Sequence, residues 1–256
     1  KTKKTQQGQN KNKNSHNSQK TAVIELDQKY TYSEINCIVR NAQQFLLNLK
    51  LEKGEHVALV LPDCIEFFSI FLALVAAGIV PILVNSLMGK KLAELSILDS
   101  DAKLIITSQE YLFLLEDIST IKKIVIEEMN IKDYQKSQGN IIYANNHKND
   151  LAFIAYTSGS SGDPKGVMHA HYSPIVACIY YAEEFLKLTE KDIILSGPAL
   201  AFTYGLGVSL YIPMYLGATS ILISKKDPFA LVSAINQCKP SIFFGVPSHY
   251  AGILAI

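Results

Sequence analysis

The residues best suited to bind a ligand or to catalyse a reaction follow a short apolar run. Leu151 to Ala155 has the length and composition of a strand buried in a sheet. The next ten residues, Thr157 to Gly166, contain hydroxyl side chains, three glycines and one lysine. Because glycine tolerates the backbone angles of a concave loop, the amide N–H groups of such a loop can turn inward. Together with the hydroxyls and the charge of Lys165, they make this segment suited to bind a polyphosphate.

Two common loops of similar composition do not fit this segment. A Walker loop ends in Gly-Lys-Ser/Thr, whereas Lys165 is preceded by Pro164 and followed by Gly166. The nucleophile elbow of hydrolases needs Gly-x-Ser-x-Gly, and the residue four positions after Gly159 is Asp163. A flexible Gly/Ser linker would not need Pro-Lys-Gly at a fixed distance after a buried strand.

The rest of the chain alternates between strand and helix patterns. We predict a hairpin at 23–31, a capping box formed by Thr31 and Glu34, and a surface excursion at 128–148. The uncharged stretch 67–84 is interrupted by Gly78 and Pro81, so it is interpreted as a buried helix and a buried strand, not as a membrane span. The alternation predicts an α/β fold with largely parallel sheets flanked by helices. Further strands are predicted at 57–61, 80–84, 104–107, 121–126, 193–195, 219–223 and 242–245, and helices at 35–49, 64–77, 90–100, 172–188, 204–215, 228–238 and from 247.

A second candidate group follows a predicted strand and a Gly-Pro turn. It comprises Phe202, Thr203, Tyr204 and Gly205. Ligands of open α/β folds bind at the carboxyl ends of the strands, which is where this group is expected to lie. An aromatic pair beside glycines is also common in protein cores, so this group alone does not establish a binding site.

Composition excludes several classes of protein. A hydrophobic fraction of 48% with 18% charged residues is typical of a globular protein, and a net charge of +1 gives no reason to expect nucleic acid as a partner. Four widely spaced cysteines without Cys-x-x-Cys argue against a zinc site and a disulfide framework, and they fit a reducing compartment. His169 and His171 form a His-x-His pair without a third ligand nearby, so we predict no metal site. Cys178 lies in an apolar run and is expected to be buried.

The two ends of the chain differ from its middle. Residues 1–20 carry six lysines and no acid, and they are interpreted as a disordered arm or linker. The chain begins with Lys1 and ends at Ile256 within an apolar helical pattern. We therefore expect 21–256 to be the first part of a larger domain.

The segment Tyr-Thr-Ser-Gly-Ser-Ser-Gly-Asp-Pro-Lys-Gly-Val, starting at Tyr156, resembles the signature of the adenylate-forming, AMP-binding enzymes. Within that superfamily the chain is most similar to benzoate-CoA ligases and other aryl- and acyl-CoA synthetases, through Phe-Thr-Tyr-Gly-Leu-Gly at 202–207 and Gly-Val-Pro at 245–247. The resemblance implies that the first segment binds the β- and γ-phosphates of ATP. The residues implied are Thr157, Ser158, Gly159, Ser160, Ser161, Gly162, Pro164, Lys165 and Gly166.

The same resemblance implies a pocket for a small carboxylic acid, lined by Phe202, Thr203, Tyr204, Gly205 and Tyr250. Domains that activate amino acids usually carry an aspartate where this chain has Thr203, so an aromatic or small apolar acid is favoured. The implied reaction uses Mg-ATP to form an acyl-adenylate, which coenzyme A then converts to a thioester. Cytoplasmic location, with neither a membrane nor nucleic acid as partner, is expected.

The family motif that helps hold adenine and magnesium, the ribose-binding aspartate and the catalytic lysine are expected after residue 256, so no catalytic residue is assigned to this chain. We expect the chain alone to be inactive. Two alternatives stay open: a nucleotide-binding remnant without catalysis, and a loading domain that passes the acyl group to a phosphopantetheine carrier protein.

Overall fold

A computed structural model describes residues 18–25, 27–133, 140–158 and 163–256. The strands, in chain order, are β1 (Thr21–Glu25), β2 (Gln28–Thr31), β3 (His56–Val60), β4 (Val80–Leu83), β5 (Leu104–Thr107), β6 (Lys122–Val125), β7 (Leu151–Ser158), β8 (Pro164–Ala170), β9 (Ile193–Ser196), β10 (Thr219–Leu222) and β11 (Ile242–Phe244).

The helices alternate with these strands. They are α1 (Tyr32–Leu47), α2 (Ile65–Ala76), α3 (Lys90–Asp99), α4 (Tyr172–Ala177), α5 (Thr203–Leu206), α6 (Ile212–Leu216), α7 (Pro228–Cys238) and α8 (Pro247–Leu254). α4 continues as a π-helix over Cys178–Phe185, and a second π-helix, Gly207–Tyr211, joins α5 to α6. Short 3₁₀ turns occupy Ser86–Met88, Gln109–Leu115 and Ile126–Glu128.

The strands form two sheets, and both are largely parallel. Sheet I has the order β11-β9-β10-β1-β2, and sheet II has the order β6-β5-β3-β4-β7-β8. All neighbouring strands are parallel except at one edge of each sheet, where β2 and β8 run antiparallel to β1 and β7. The predicted α/β class with largely parallel sheets flanked by helices is confirmed.

The largest hydrophobic core joins the two sheets. It contains Val23 from sheet I, Leu59 from sheet II, and Ile38 and Phe68 from α1 and α2, all at most 1% exposed. The helices α1 and α2 therefore pack in the same core as both sheets, and this packing fixes one sheet relative to the other.

Local signals in the sequence predicted several element ends correctly. Thr31 accepts a hydrogen bond from the Glu34 backbone N–H at 3.2 Å, and Glu34 Oε2 accepts one from the Thr31 backbone N–H at 2.7 Å, as a capping box requires. Asp227 caps α7, which begins with Pro228. The segment 67–84 contains a buried helix and a buried strand, as expected, and no helix in the described part of the chain is long and apolar enough to span a bilayer.

Three features differ from the sequence-based expectations. The strand β8 was not predicted, since no strand was assigned between the phosphate-binding segment and the helix at 172–188. The helices predicted at 172–188 and 204–215 are present but contain π-helical turns. The described residues of the excursion at 128–148 are also tied to the core, since the Gln43 side chain donates to the carbonyl oxygen of Ile142 and accepts from its N–H, both at 2.7 Å.

Candidate functional site

The described residues of the predicted phosphate-binding segment lie at the adjoining ends of the antiparallel strands β7 and β8, here called the β7–β8 hairpin. Thr157 lies directly opposite Lys165, and Ser158 lies opposite Pro164. Directly opposed residues of an antiparallel pair project to the same face, so the Thr157 hydroxyl and the Lys165 ammonium share one face, and both residues are exposed. Four predicted members of the loop, Gly159, Ser160, Ser161 and Gly162, lie outside the described residues.

A buried tyrosine, Tyr156, links this hairpin to α3. The Tyr156 hydroxyl donates to Asp99 Oδ2 at 2.6 Å, which ties β7 to α3. Burial and this carboxylate raise the pKa of Tyr156, so its hydroxyl keeps its proton and remains a donor. Gly166 lies opposite Tyr156, and a Cβ on Gly166 would stand 3.1 Å from the ring. The absence of a side chain there lets β8 pass close to the Tyr156 ring.

The hairpin is next to a second strand end. β4 runs parallel to β7 with Leu83 opposite Ala155, so both strands reach the same edge of sheet II. Beyond β4, Asn85 Oδ1 accepts the Leu87 N–H at 3.0 Å and holds a short turn. The Leu87 side chain is 78% exposed and contributes to the cavity described next.

An apolar cavity of about 400 Å³ opens at the carboxyl ends of strands from both sheets. Leu87 comes from sheet II, and the other lining residues follow β9, β10 and β11 of sheet I. The lining residues are Leu87, Gly197, Pro198, Ala199, Phe202, Thr203, Tyr204, Lys226, Val246 and His249.

Three of the predicted acid-pocket residues line this cavity, and two lie beside it. Phe202, Thr203 and Tyr204 are brought together, with Tyr204 packed edge-on against the ring of Phe244 at 6.3 Å between centroids. Gly205 is not in the lining. It permits a close backbone approach, because a Cβ on Gly205 would be 2.0 Å from the Ala199 carbonyl oxygen. Tyr250 also lies outside the lining, and its hydroxyl donates to the Phe243 carbonyl oxygen at 3.2 Å.

A buried ion pair joins the two sheets at the cavity. Lys226 Nζ lies 2.9 Å from Asp63 Oδ2, and the two side chains are 14% and 4% exposed. Lys226 Nζ also donates to the Ser196 carbonyl oxygen at 3.0 Å, and Asp63 Oδ1 accepts the Leu200 N–H at 2.8 Å. The pair therefore holds both ends of the turn that follows β9 and leads into Phe202.

A histidine completes the wall formed after β11. His249 Nδ1 accepts the Val246 N–H at 3.2 Å, and a Cβ on Gly197 would be 2.4 Å from the same nitrogen. Burial lowers the pKa of His249, and the nearby charge of Lys226 lowers it further. The ring is therefore neutral near pH 7, with its proton on Nε2.

Sequence reasoning missed Asp63, Lys226 and His249 as members of the site. Each follows a parallel strand, namely β3, β10 and β11. Polar residues placed just after parallel strands are candidates for a ligand site at the carboxyl edge, and that signal was available in the sequence.

The two histidines considered as a metal pair do not act together. His169 lies in β8 and stacks on Phe153 with 4.4 Å between ring centroids, whereas His171 lies in the turn before α4. Within the described ranges, no three His, Cys, Asp or Glu side chains converge on a point that could hold a metal ion. Cys178 is 1% exposed, and its buried position is confirmed.

Comparisons with known proteins identify relatives over nearly the whole chain. The model of the AMP-binding enzyme family matches residues 10–255. Benzoate–CoA ligase of Thauera aromatica is 32% identical over 247 residues, covering 92% of this chain and 47% of the relative. A 4-hydroxybenzoate–CoA/benzoate–CoA ligase of Rhodopseudomonas palustris is 30% identical over 250 residues, covering 92% of this chain and 46% of the relative.

A solved structure shares the fold. The crystal structure of the anthranilate CoA ligase AuaEII in complex with anthranoyl-AMP matches with a TM-score of 0.87 and 28% identity, over 94% of this chain and 48% of that protein. The chain thus spans about half the length of the curated relatives and of the solved structure that it matches.

Proposed function

The chain belongs to the AMP-binding enzyme family, and from this we propose that the protein activates a small aromatic carboxylic acid with ATP. In the first step, a carboxylate oxygen attacks the α-phosphorus of ATP, and the bond to the β-phosphate breaks, giving an acyl-adenylate and pyrophosphate. In the second step, the thiol of coenzyme A attacks the acyl carbon and releases AMP. ATP, supplied with Mg²⁺, and coenzyme A are substrates in this scheme.

The β7–β8 hairpin supports a role in phosphate binding. Thr157 and Lys165 present a hydroxyl donor and a positive charge on one exposed face. No carboxylate among the described residues pairs with Lys165, so its charge is available to an anion. We propose that this face stabilises the charge that develops on pyrophosphate as it leaves, together with the loop residues predicted from the sequence.

The cavity supports binding of an aromatic acid. Its volume of about 400 Å³ falls within the usual range for small-molecule sites, and its lining is mostly apolar. Phe202 and Tyr204 supply aromatic surface. Thr203 carries no charge, so it offers no partner for the ammonium group of an amino acid.

One observation carries the proposal: the hairpin and the cavity lie at neighbouring carboxyl ends of parallel strands. β7 leads to Thr157, and the adjacent β4 leads to Leu87 in the cavity wall. An acid in the cavity and a nucleotide on the hairpin would therefore meet at one edge of the sheet, which is where open α/β folds bind their ligands.

The test is benzoate-dependent exchange of pyrophosphate into ATP, measured with the full-length protein of which, as we propose, this chain is the first part. We expect Lys165→Ala to reduce the exchange rate by about 10-fold or more, the effect of losing a charged hydrogen bond. The matched control is Lys191→Ala, since Lys191 is also exposed but precedes β9, at the opposite end of that strand. An exchange rate that Lys165→Ala leaves unchanged would contradict the role assigned to the hairpin.

The acceptor is tested separately by supplying the purified acyl-adenylate with coenzyme A or with a phosphopantetheine-bearing carrier protein. Thioester formation with coenzyme A is the expected result. Transfer to the carrier protein alone would reassign the second step and leave the first step intact.

A further inference from the structure

The cavity wall contains more uncommitted hydrogen-bond donors than uncommitted acceptors. A lysine ammonium has three N–H groups. Lys226 Nζ donates one hydrogen bond to the Ser196 carbonyl oxygen at 3.0 Å and forms an ion pair with Asp63, with Nζ 2.9 Å from Oδ2. No other acceptor among the described residues takes an N–H of Lys226, and Lys226 lines the cavity. A ligand atom in the cavity can therefore accept an N–H of this ammonium.

His249 adds a second donor. Its Nδ1 is occupied by the Val246 N–H at 3.2 Å, so the neutral ring carries its proton on Nε2. The imidazole lines the same cavity as Lys226. Nε2–H has no acceptor in the described part of the chain, which makes it a further donor for a ligand.

Asp63 offers no acceptor to a ligand, because it is absent from the cavity lining. Its Oδ1 accepts the Leu200 N–H at 2.8 Å, and its Oδ2 is buried 2.9 Å from Lys226 Nζ without accepting a hydrogen bond. The hydroxyls of Thr203 and Tyr204 can donate or accept, so they do not alter the balance. Because Asp63 compensates the charge of Lys226, the pair offers no net positive charge to a second carboxylate on the ligand. The complementary ligand group is a neutral oxygen acceptor.

We propose that Lys226 and His249 are specificity-determining residues that select an aromatic acid carrying a neutral oxygen acceptor, such as a ring hydroxyl. This inference rests on the proposed function, because it names the substrate class of the same site. The group recognised is the substituent, not the reacting carboxylate that all candidate acids share.

The experiment compares hydroxybenzoates with methylbenzoates of the same substitution pattern in the pyrophosphate-exchange assay of the full-length protein. Hydroxyl and methyl groups are similar in size, so the ratio of the two kcat/KM values isolates the hydrogen bond. We expect the ratio to favour hydroxyl by about 10-fold or more at one ring position at least. His249→Leu should reduce that ratio by at least about 3-fold.

The lysine is tested with a double variant, Asp63→Asn with Lys226→Met, which removes the donor without leaving a buried charge unpaired. It should reduce the ratio as His249→Leu does, whereas Lys225→Met, at the exposed neighbouring lysine, should leave it unchanged. If the double variant does not fold, the His249→Leu result decides the proposal.

Several results would overturn the inference while leaving the proposed function in place. The first is a wild-type hydroxyl-to-methyl ratio of kcat/KM near one at every ring position, and the second is a ratio that His249→Leu does not change. The third is a preference for terephthalate, which carries a second carboxylate, over the hydroxybenzoates. Equal losses for both acids would show that these residues act on the shared carboxylate or on folding. An absence of exchange with every acid would overturn the proposed function itself, and this inference with it.

Discussion

Removing the cation of the buried ion pair should destabilise the protein strongly. Lys226→Met keeps the apolar stem of the side chain but leaves the Asp63 carboxylate, 4% exposed, with the Leu200 N–H as its remaining described donor. Breaking a buried pair by removing one partner costs about 3–5 kcal/mol, because the remaining charge has lost both water and its counter-charge. We expect a loss of this size in the free energy of unfolding.

The double variant Asp63→Asn with Lys226→Met should recover most of this loss. The amide oxygen introduced by Asp63→Asn would still accept the Leu200 N–H, and no charge would be left in the interior. Replacing a buried ion pair by neutral groups is often close to neutral for stability. The double variant should therefore lie within about 1–2 kcal/mol of the wild type.

The assay is urea denaturation of the full-length protein and its variants, followed by far-ultraviolet circular dichroism. Lys225→Met is the control and should change the free energy of unfolding by less than about 0.5 kcal/mol, as exposed substitutions usually do. The reasoning fails if Lys226→Met costs less than about 1 kcal/mol. It also fails if the effects of Lys226→Met and Asp63→Asn simply add in the double variant, because a coupled pair must deviate from additivity.

Two further predictions concern the supports of the site. Gly205→Ala would place a Cβ 2.0 Å from the Ala199 carbonyl oxygen. We therefore expect a destabilisation of about 1–3 kcal/mol and a raised KM for the acid. A wild-type free energy of unfolding together with a wild-type KM would contradict the close approach. Burial lowers the pKa of His169 in the folded protein from its ordinary value of about 6.5. As the pH falls, the unfolded chain is therefore protonated at His169 before the folded protein is. The stability linked to His169 is complete above pH 6.5 and is lost as the pH falls below it. His169→Phe keeps an aromatic ring against Phe153 and should lose less stability between pH 7 and pH 5 than the wild type in urea denaturation; an equal loss would exclude His169 as a source of the acid sensitivity.

Local chemistry explains which parts of the fold could be predicted from the sequence. The Thr31–Glu34 capping box and the start of α7 at Pro228 depend on neighbouring residues, and both were predicted correctly. The strand β8 was missed because it is an edge strand that includes Pro164 and Gly166, residues that usually argue against a strand. Its register, which sets Thr157 opposite Lys165, depends on pairing with β7 and has no local signature.

The same distinction applies to the candidate site. Phe202, Thr203 and Tyr204 are consecutive, so one motif indicated all three, and the structure places them together. Asp63 and Lys226 lie on different sheets and meet only because α1 and α2 pack in a core that both sheets share. Pairing of this kind is a consequence of tertiary packing, so inspecting either residue in the sequence could not reveal the other.

The position of the ion pair indicates why a protein would keep it. A buried pair adds little net stability compared with apolar residues of similar volume, but it requires one specific geometry. Here that geometry fixes the distance between the segment after β3 and the turn after β9, and the same turn carries Gly197, Pro198 and Ala199 into the cavity wall. Apolar side chains at both positions would leave the Ser196 carbonyl oxygen and the Leu200 N–H without these side-chain partners. Asp63 and Lys226 instead define the cavity wall to within the length of a hydrogen bond, and that precision is what discrimination between a hydroxyl and a methyl group requires.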